Sequence, residues 1–201
     1  MSEFERWQTR FSVPEYVFGT APNAFLRAHA HLLPAKGTAL AVADGEGRNG
    51  VWLAEQGLDV LSLDFSPAAQ AKARALAKER GVSLRIERAD VTTWSWPDAA
   101  FDVVAAIFVQ FVGPNERGHM FAGIRKALKP GGLLLLQGYR PKQLDYQTGG
   151  PKQIENMYTR ELLEREFAGF AALDITEHDS VIEEGTSHVG MAALIDLVGR
   201  R

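Results

Sequence analysis

Three groups of residues in this chain have the types and spacing to hold a nucleoside. The run Asp44-Gly45-Glu46-Gly47-Arg48-Asn49-Gly50 places glycines at the G-x-G-x-x-G spacing directly after a short apolar segment. Glycine lets the backbone approach a ligand closely, and a helix that opens after such a turn carries partial positive charge at its start. Asp64 stands 17 residues beyond Gly47, at the end of a second apolar segment. A carboxylate there can accept hydrogen bonds from both hydroxyls of a ribose. Asp90-Val91 follow a third segment, where an acid and a backbone amide can read an adenine edge. Each group also has a plainer reading, as a tight turn, a helix-start acid or a loop acid. Their order along the chain is what gives them weight.

Two ligands use this arrangement, a nicotinamide dinucleotide and S-adenosylmethionine (SAM). Acids beside the turn repel a diphosphate, and Asp44 and Glu46 both sit there. SAM presents an amino group and a sulfonium instead, so the same acids favour it. An NAD(P)-dependent oxidoreductase remains the alternative. A Tyr-x-x-x-Lys pair would support that alternative, and none occurs.

The elements that must position these residues follow from the apolar pattern. Strands are expected at 38–43, 59–63, 82–87, 101–108 and 133–137, with helices at 48–56, from a Ser66 cap and Pro67 to Arg80, and at 115–128. Continuously apolar strands imply burial on both faces, so the reading is a doubly wound α/β domain with a mostly parallel, seven-stranded sheet. After a helix at 159–167 the rhythm changes. Strands at 171–178 and 188–198 are joined through Glu183-Glu184-Gly185, too short a link for a parallel crossover, so an antiparallel C-terminal strand is expected. Residues 22–33 read as an added amphipathic helix. The whole of 1–201 is read as a single domain: an N-terminal cap segment and helix (1–35), a ligand-binding core (38–140), and a lid loop, helix and antiparallel pair (141–201).

At this point the residues resemble a known family. VADGEGRNGVWLAEQGLDVLSLDFSP resembles motifs I and II of the class I SAM-dependent methyltransferases, and FDVVAAIFVQF and IRKALKPGGLLLLQGY resemble their fourth- and fifth-strand motifs. The GRN element followed by LAEQGLDV is similar to the tellurite-resistance-type and thiopurine-type small-molecule methyltransferases. The likeness spans roughly residues 16–198. It implies a Rossmann-like fold, SAM as cofactor, and contacts from the Gly45 and Gly47 backbone, Asp64 with Phe65, Asp90 with Val91, and Ile107. Arg48 and Asn49 would orient the loop or the methionyl carboxylate. One departure stands out: Ala41 occupies the family's first-strand acid position and Ala43 its first glycine. Asp44 or Glu46 is therefore expected to face the amino end of SAM. The departure also keeps open a SAM-binding or ligand-sensing module without catalysis.

Methyl transfer from a sulfonium is an in-line displacement that needs alignment and a dry pocket more than a catalytic triad. Acceptor-side candidates lie beyond the strand ends: Phe108, Gln110 and Phe111, then Tyr139, Arg140 and Tyr146. The 146–152 loop is a candidate lid, and the 16–20 segment could close from the other side. Of five histidines, His119 is the best placed to act as a base, and none forms a metal-binding pattern. With 201 residues, 46% hydrophobic and 23% charged, the chain matches one ordinary globular core. A net charge of −3 with no basic block argues against nucleic acid, and the lack of cysteine excludes disulfides and thiolate chemistry. The charged, aromatic N-terminus is not a signal peptide, and no apolar run is long enough for a bilayer. The expectation is a cytoplasmic methyltransferase with a small-molecule acceptor such as a thiol or chalcogen oxyanion, and no nucleic-acid or membrane partner.

Overall fold

The computed structural model describes residues 2–201. In chain order the elements are α1 (Glu3–Phe11), α2 (Ala24–Ala28), β1 (Thr38–Ala41), α3 (Arg48–Glu55), β2 (Asp59–Asp64), α4 (Pro67–Arg80), β3 (Arg85–Arg88), β4 (Phe101–Ile107), α5 (Pro114–Ala127), β5 (Leu128–Tyr139), α6 (Gln143–Tyr146), α7 (Arg160–Glu166), β6 (Ala172–Glu184) and β7 (His188–Arg200). One sheet contains all seven strands in the order β3-β2-β1-β4-β5-β7-β6. The first five are parallel, and β7 pairs antiparallel with both β5 and β6.

The central strands are buried on both faces because both sets of alternating side chains are apolar. Val103 and Ala105 of β4 pack with Phe25, Trp52 and Leu53 on one side of the sheet. Val104 and Ala106 pack with Phe121, Ile124 and Leu163 on the other. Ser66 caps α4 by accepting from the Ala69 N–H, Pro67 opens the helix, and Gly81 ends it in the left-handed conformation. Among the described residues no helix is long and apolar enough to cross a membrane.

Five expectations need correction. The third strand starts at Arg85, not Val82, because Val82 and Leu84 pack against Val51, Leu76 and Ala77 between α3 and α4. The fifth strand runs from Leu128 to Tyr139, so the Lys129-Pro130-Gly131-Gly132 turn lies within it. Glu183 and Glu184 belong to β6, and the hairpin turns through Gly185. The 22–33 helix is shorter, ending at Ala28 before a 3-10 turn at Ala30–Leu32. Finally, α1 was not anticipated. Ser2 and Glu5 form its capping box, with the Ser2 hydroxyl accepting from the Glu5 N–H and the Glu5 carboxylate accepting from the Ser2 N–H.

Candidate active site

A cavity lies beyond the carboxyl ends of β1, β2 and β4, where the strand order reverses. That is the place a doubly wound sheet offers a ligand. Asp44, Gly45, Arg48, Asn49, Asp64, Phe65 and Ile107 all line it. Glu46 and Gly47 do not, nor do Asp90 and Val91. The Asp90 carboxylate accepts from the Thr92 N–H at 2.9 Å and the Thr92 hydroxyl at 2.7 Å, and Val91 is in the core.

Each acid of the turn has a distinct job. Asp44 accepts from the Gly50 N–H at 3.1 Å and the Ser62 hydroxyl at 2.8 Å. It thereby caps α3 from inside the loop, filling the position where a helix start would hold an anion. Glu46 turns the other way. Its side chain is 2% exposed, accepts from the Val17 and Phe18 N–H groups, and pairs with Lys72 at 2.7 Å. It is a latch on the N-terminal segment and lies outside the cavity. Gly47 has φ +88, and a Cβ there would lie 2.6 Å from the Ala73 Cβ, so a bare backbone is what lets α3 and α4 approach. Ala43, at the usual glycine position, keeps the left-handed bend with φ +46.

Asp64 is buried at the end of β2. One of its oxygens accepts from the Gly45 N–H at 2.9 Å and the other from the Ser66 N–H at 2.8 Å. Each oxygen keeps a lone pair for a second donor, which is the donor pattern of a ribose. Burial pushes Asp64 up to about 6 and Asp44 up to about 7, against the hydrogen bonds that lower both. Neither acid is paired with a cation. The one arginine lining the cavity, Arg48, bonds the Glu184 carboxylate at 2.8 Å. The site is thus acidic and suited to a positively charged ligand.

A second cavity adjoins the first. Trp7, Phe108, Phe111 and His188 line both, forming the partition between them. Trp7 comes from α1, which is held over the sheet by Phe4 edge-on to Phe65, by Trp7 edge-on to Phe111, and by Gln8 accepting from the Ser66 hydroxyl. Phe108 follows β4 in a left-handed conformation, φ +55, and its ring lies 4.7 Å from that of Tyr139. A non-glycine residue held there is strained, a recurrent trait of functional positions.

The acceptor-side candidates divide. Tyr139 lines the second cavity with Gln110 and Phe111, and its buried hydroxyl has no hydrogen-bond partner among the described residues. Gly149, Gly150, Pro151 and Lys152 of the 146–152 loop line the same space. Arg140 and Tyr146 both engage Asp179, and His119 is on α5; none of these three lines either cavity. Phe18 of the 16–20 segment lines the first cavity, whereas Trp7, Phe11 and His188 were missed. The Ser2-x-x-Glu5 capping signal and the Phe4, Trp7, Phe11 stripe could have revealed α1. Nothing local marks His188.

The comparisons with known proteins agree with this geometry. A family model described as "Methyltransferase domain" matches residues 39–132. A demethylmenaquinone methyltransferase of Thermus thermophilus is 33% identical over 104 residues, which is 51% of this chain and 47% of that protein. The aligned stretch therefore spans about half the length of this curated relative. The fold superposes on a structure described as "Conversion of a Disulfide Bond into a Thioacetal Group during Echinomycin Biosynthesis" with a TM-score of 0.78 at 19% identity, over 100% of this chain and 92% of that one. A SAM-dependent methyltransferase from Methanosarcina mazei superposes with a TM-score of 0.67 at 16% identity, over 89% and 98% of the two chains. The methyltransferase-domain match over residues 39–132 and the Rossmann-like sheet make this chain similar to the class I SAM-dependent methyltransferases in sequence and in fold.

Proposed function

We propose that this chain catalyses transfer of a methyl group from SAM to a small-molecule nucleophile. The observation that carries the choice of ligand is the internal cap of Asp44 on α3. A dinucleotide would bring its diphosphate to that helix start and meet a carboxylate already there. The departures at Ala41 and Ala43 leave the turn intact, so they do not favour a module that has lost its ligand.

The residues present fit SAM. Asp64 has free lone pairs for the ribose hydroxyls, Phe65 and Ile107 supply apolar walls, and Asp44 offers negative charge toward the amino end. When bound, SAM supplies a methyl group on a sulfonium, already activated for displacement. The protein's part is to align the acceptor and exclude water. Trp7, Phe108 and Phe111 give the partition an apolar surface, and Tyr139 lines the second chamber beyond it. Those rings favour an acceptor with an apolar or aromatic body and one nucleophilic atom, a thiol among them.

Calorimetry with S-adenosylhomocysteine and NAD tests the reading. S-adenosylhomocysteine is expected to bind and NAD not to. Binding of NAD alone would refute it.

A further inference from the structure

The partition between the two chambers is built of three aromatic side chains and one imidazole, His188. A group crossing from one chamber to the other must pass it. Its surroundings are specific. The ring is 8% exposed and lies 4.5 Å from Phe18 and 4.8 Å from Phe108, centroid to centroid. Nδ1 is 3.3 Å from a Glu184 carboxylate oxygen, while Nε2 has no protein partner and is not sealed from the cavity.

Glu184 is fixed from three elements. Its oxygens take Arg48 of α3 at 2.8 Å, the Asn23 side-chain amide at 2.8 Å, and His188 of β7. Burial would raise its pKa, but the His188 hydrogen bond and the Arg48 charge outweigh that and hold it at about 2. The carboxylate is therefore ionised and accepts from Nδ1–H, which leaves the lone pair on Nε2. Arg48, Arg10 of α1, Glu184 and Tyr139 of β5 are the charged or titratable groups around the ring. Burial lowers the His188 pKa, and the arginines add to this, against the raising effect of Glu184.

Resting on the methyltransferase reading, we infer that His188, oriented by Glu184, is the general base for acceptors that enter protonated. The acceptor's X–H proton moves to His188 Nε2 as its electron pair forms the bond to the methyl carbon. The pair of the breaking carbon–sulfur bond stays on sulfur, leaving a neutral thioether. Glu184 stabilises the imidazolium until solvent takes the proton. An acceptor already ionised needs no such base.

The test has two arms on the full chain. In the first, NMR of histidine-labelled protein follows the His188 ring. It is expected to titrate below the ordinary 6.5, and Glu184→Gln is expected to lower it further, since a neutral partner no longer favours the imidazolium. No response of the His188 midpoint to Glu184→Gln overturns the proposal. In the second arm, phenol (protonated at the assay pH) and thiophenol (largely ionised there) are compared as acceptors. His188→Gln should reduce kcat on phenol by at least ~30-fold more than on thiophenol, within the range of general-base effects. Equal losses on the two, or turnover of thiophenol and not phenol by the parent, overturn it. If neither is turned over, or the variant does not fold, the titration decides. Calorimetry with S-adenosylhomocysteine on the parent keeps the two failures apart. Absent binding defeats the methyltransferase reading, while intact binding with equal losses defeats only the role of His188.

Discussion

The two chambers share a wall but are built in different ways. The cofactor-side chamber draws most of its lining from two short stretches, 41–49 and 64–65, each at the end of a parallel strand. Asp44 and Asp64 are held there mainly by backbone N–H groups, with the Ser62 hydroxyl added, all within 19 residues along the chain. The acceptor-side chamber collects Trp7, Phe108, Tyr139, the 149–153 loop and His188, pieces separated by up to most of the chain. The first is a local motif held by a sheet. The second exists only when α1 and the β6–β7 hairpin both dock. The first is legible from local motifs; the second is assembled from parts that meet only in the tertiary structure.

Removing the latch between the halves should have the largest effect. Glu46→Ala removes the carboxylate partner of Lys72 and leaves the Val17 and Phe18 N–H donors without their acceptor at a buried site, which is expected to cost about 2–3 kcal/mol. For a chain of this size that lowers Tm by about 2–4 °C per kcal/mol, readable by differential scanning calorimetry. Trypsin cleavage at Arg6 and Arg10 should rise in parallel; an unchanged Tm and digest would mean the N-terminal segment docks without Glu46. Asp64→Ala acts on the cofactor side alone. It should weaken S-adenosylhomocysteine binding by at least ~10-fold, or about 1.4 kcal/mol, and unchanged affinity would remove Asp64 from the ribose site.

Smaller effects sharpen the contrast. Ala43→Gly relieves a left-handed alanine and should stabilise the cofactor loop by about 0.5–1 kcal/mol in chemical denaturation; a loss would mean the alanine methyl packs usefully. The last prediction concerns pH. Asp44 titrates near 7 in the folded state, above its unfolded value of 3.8, so it favours folding at low pH and loses that contribution as pH rises through about 7. His188, with a lowered pKa, works in the opposite direction. The single variant isolates the acid: Asp44→Asn should gain Tm relative to the parent at pH 7.5 compared with pH 5.5. A pH-independent difference would show that the Asp44 charge is already relieved.

Much of the cofactor half was legible because its signals are local. The Ser66-Pro67 start, the Gly81 stop and the spacing from Gly47 to Asp64 are each readable within one turn or strand. The third strand misled because Val82 and Leu84 alternate as a strand does, although they cover the α3–α4 contact. The acceptor half was largely hidden. Glu183-Glu184 looks like turn chemistry, yet Glu184 is a buried partner of Arg48, 136 residues away. Arg6 and Arg10 masked the apolar stripe of α1, whose cap was nevertheless written in Ser2 and Glu5.

Trp7 contributes one side chain to two rooms. A molecule in either room that fixes this indole changes the free energy of filling the other. Such coupling is reciprocal by thermodynamic necessity: whatever factor the nucleoside imposes on acceptor affinity, the acceptor returns to the nucleoside. The order in which the two arrive can then alter the kinetics of loading, but never the stability of the ternary complex.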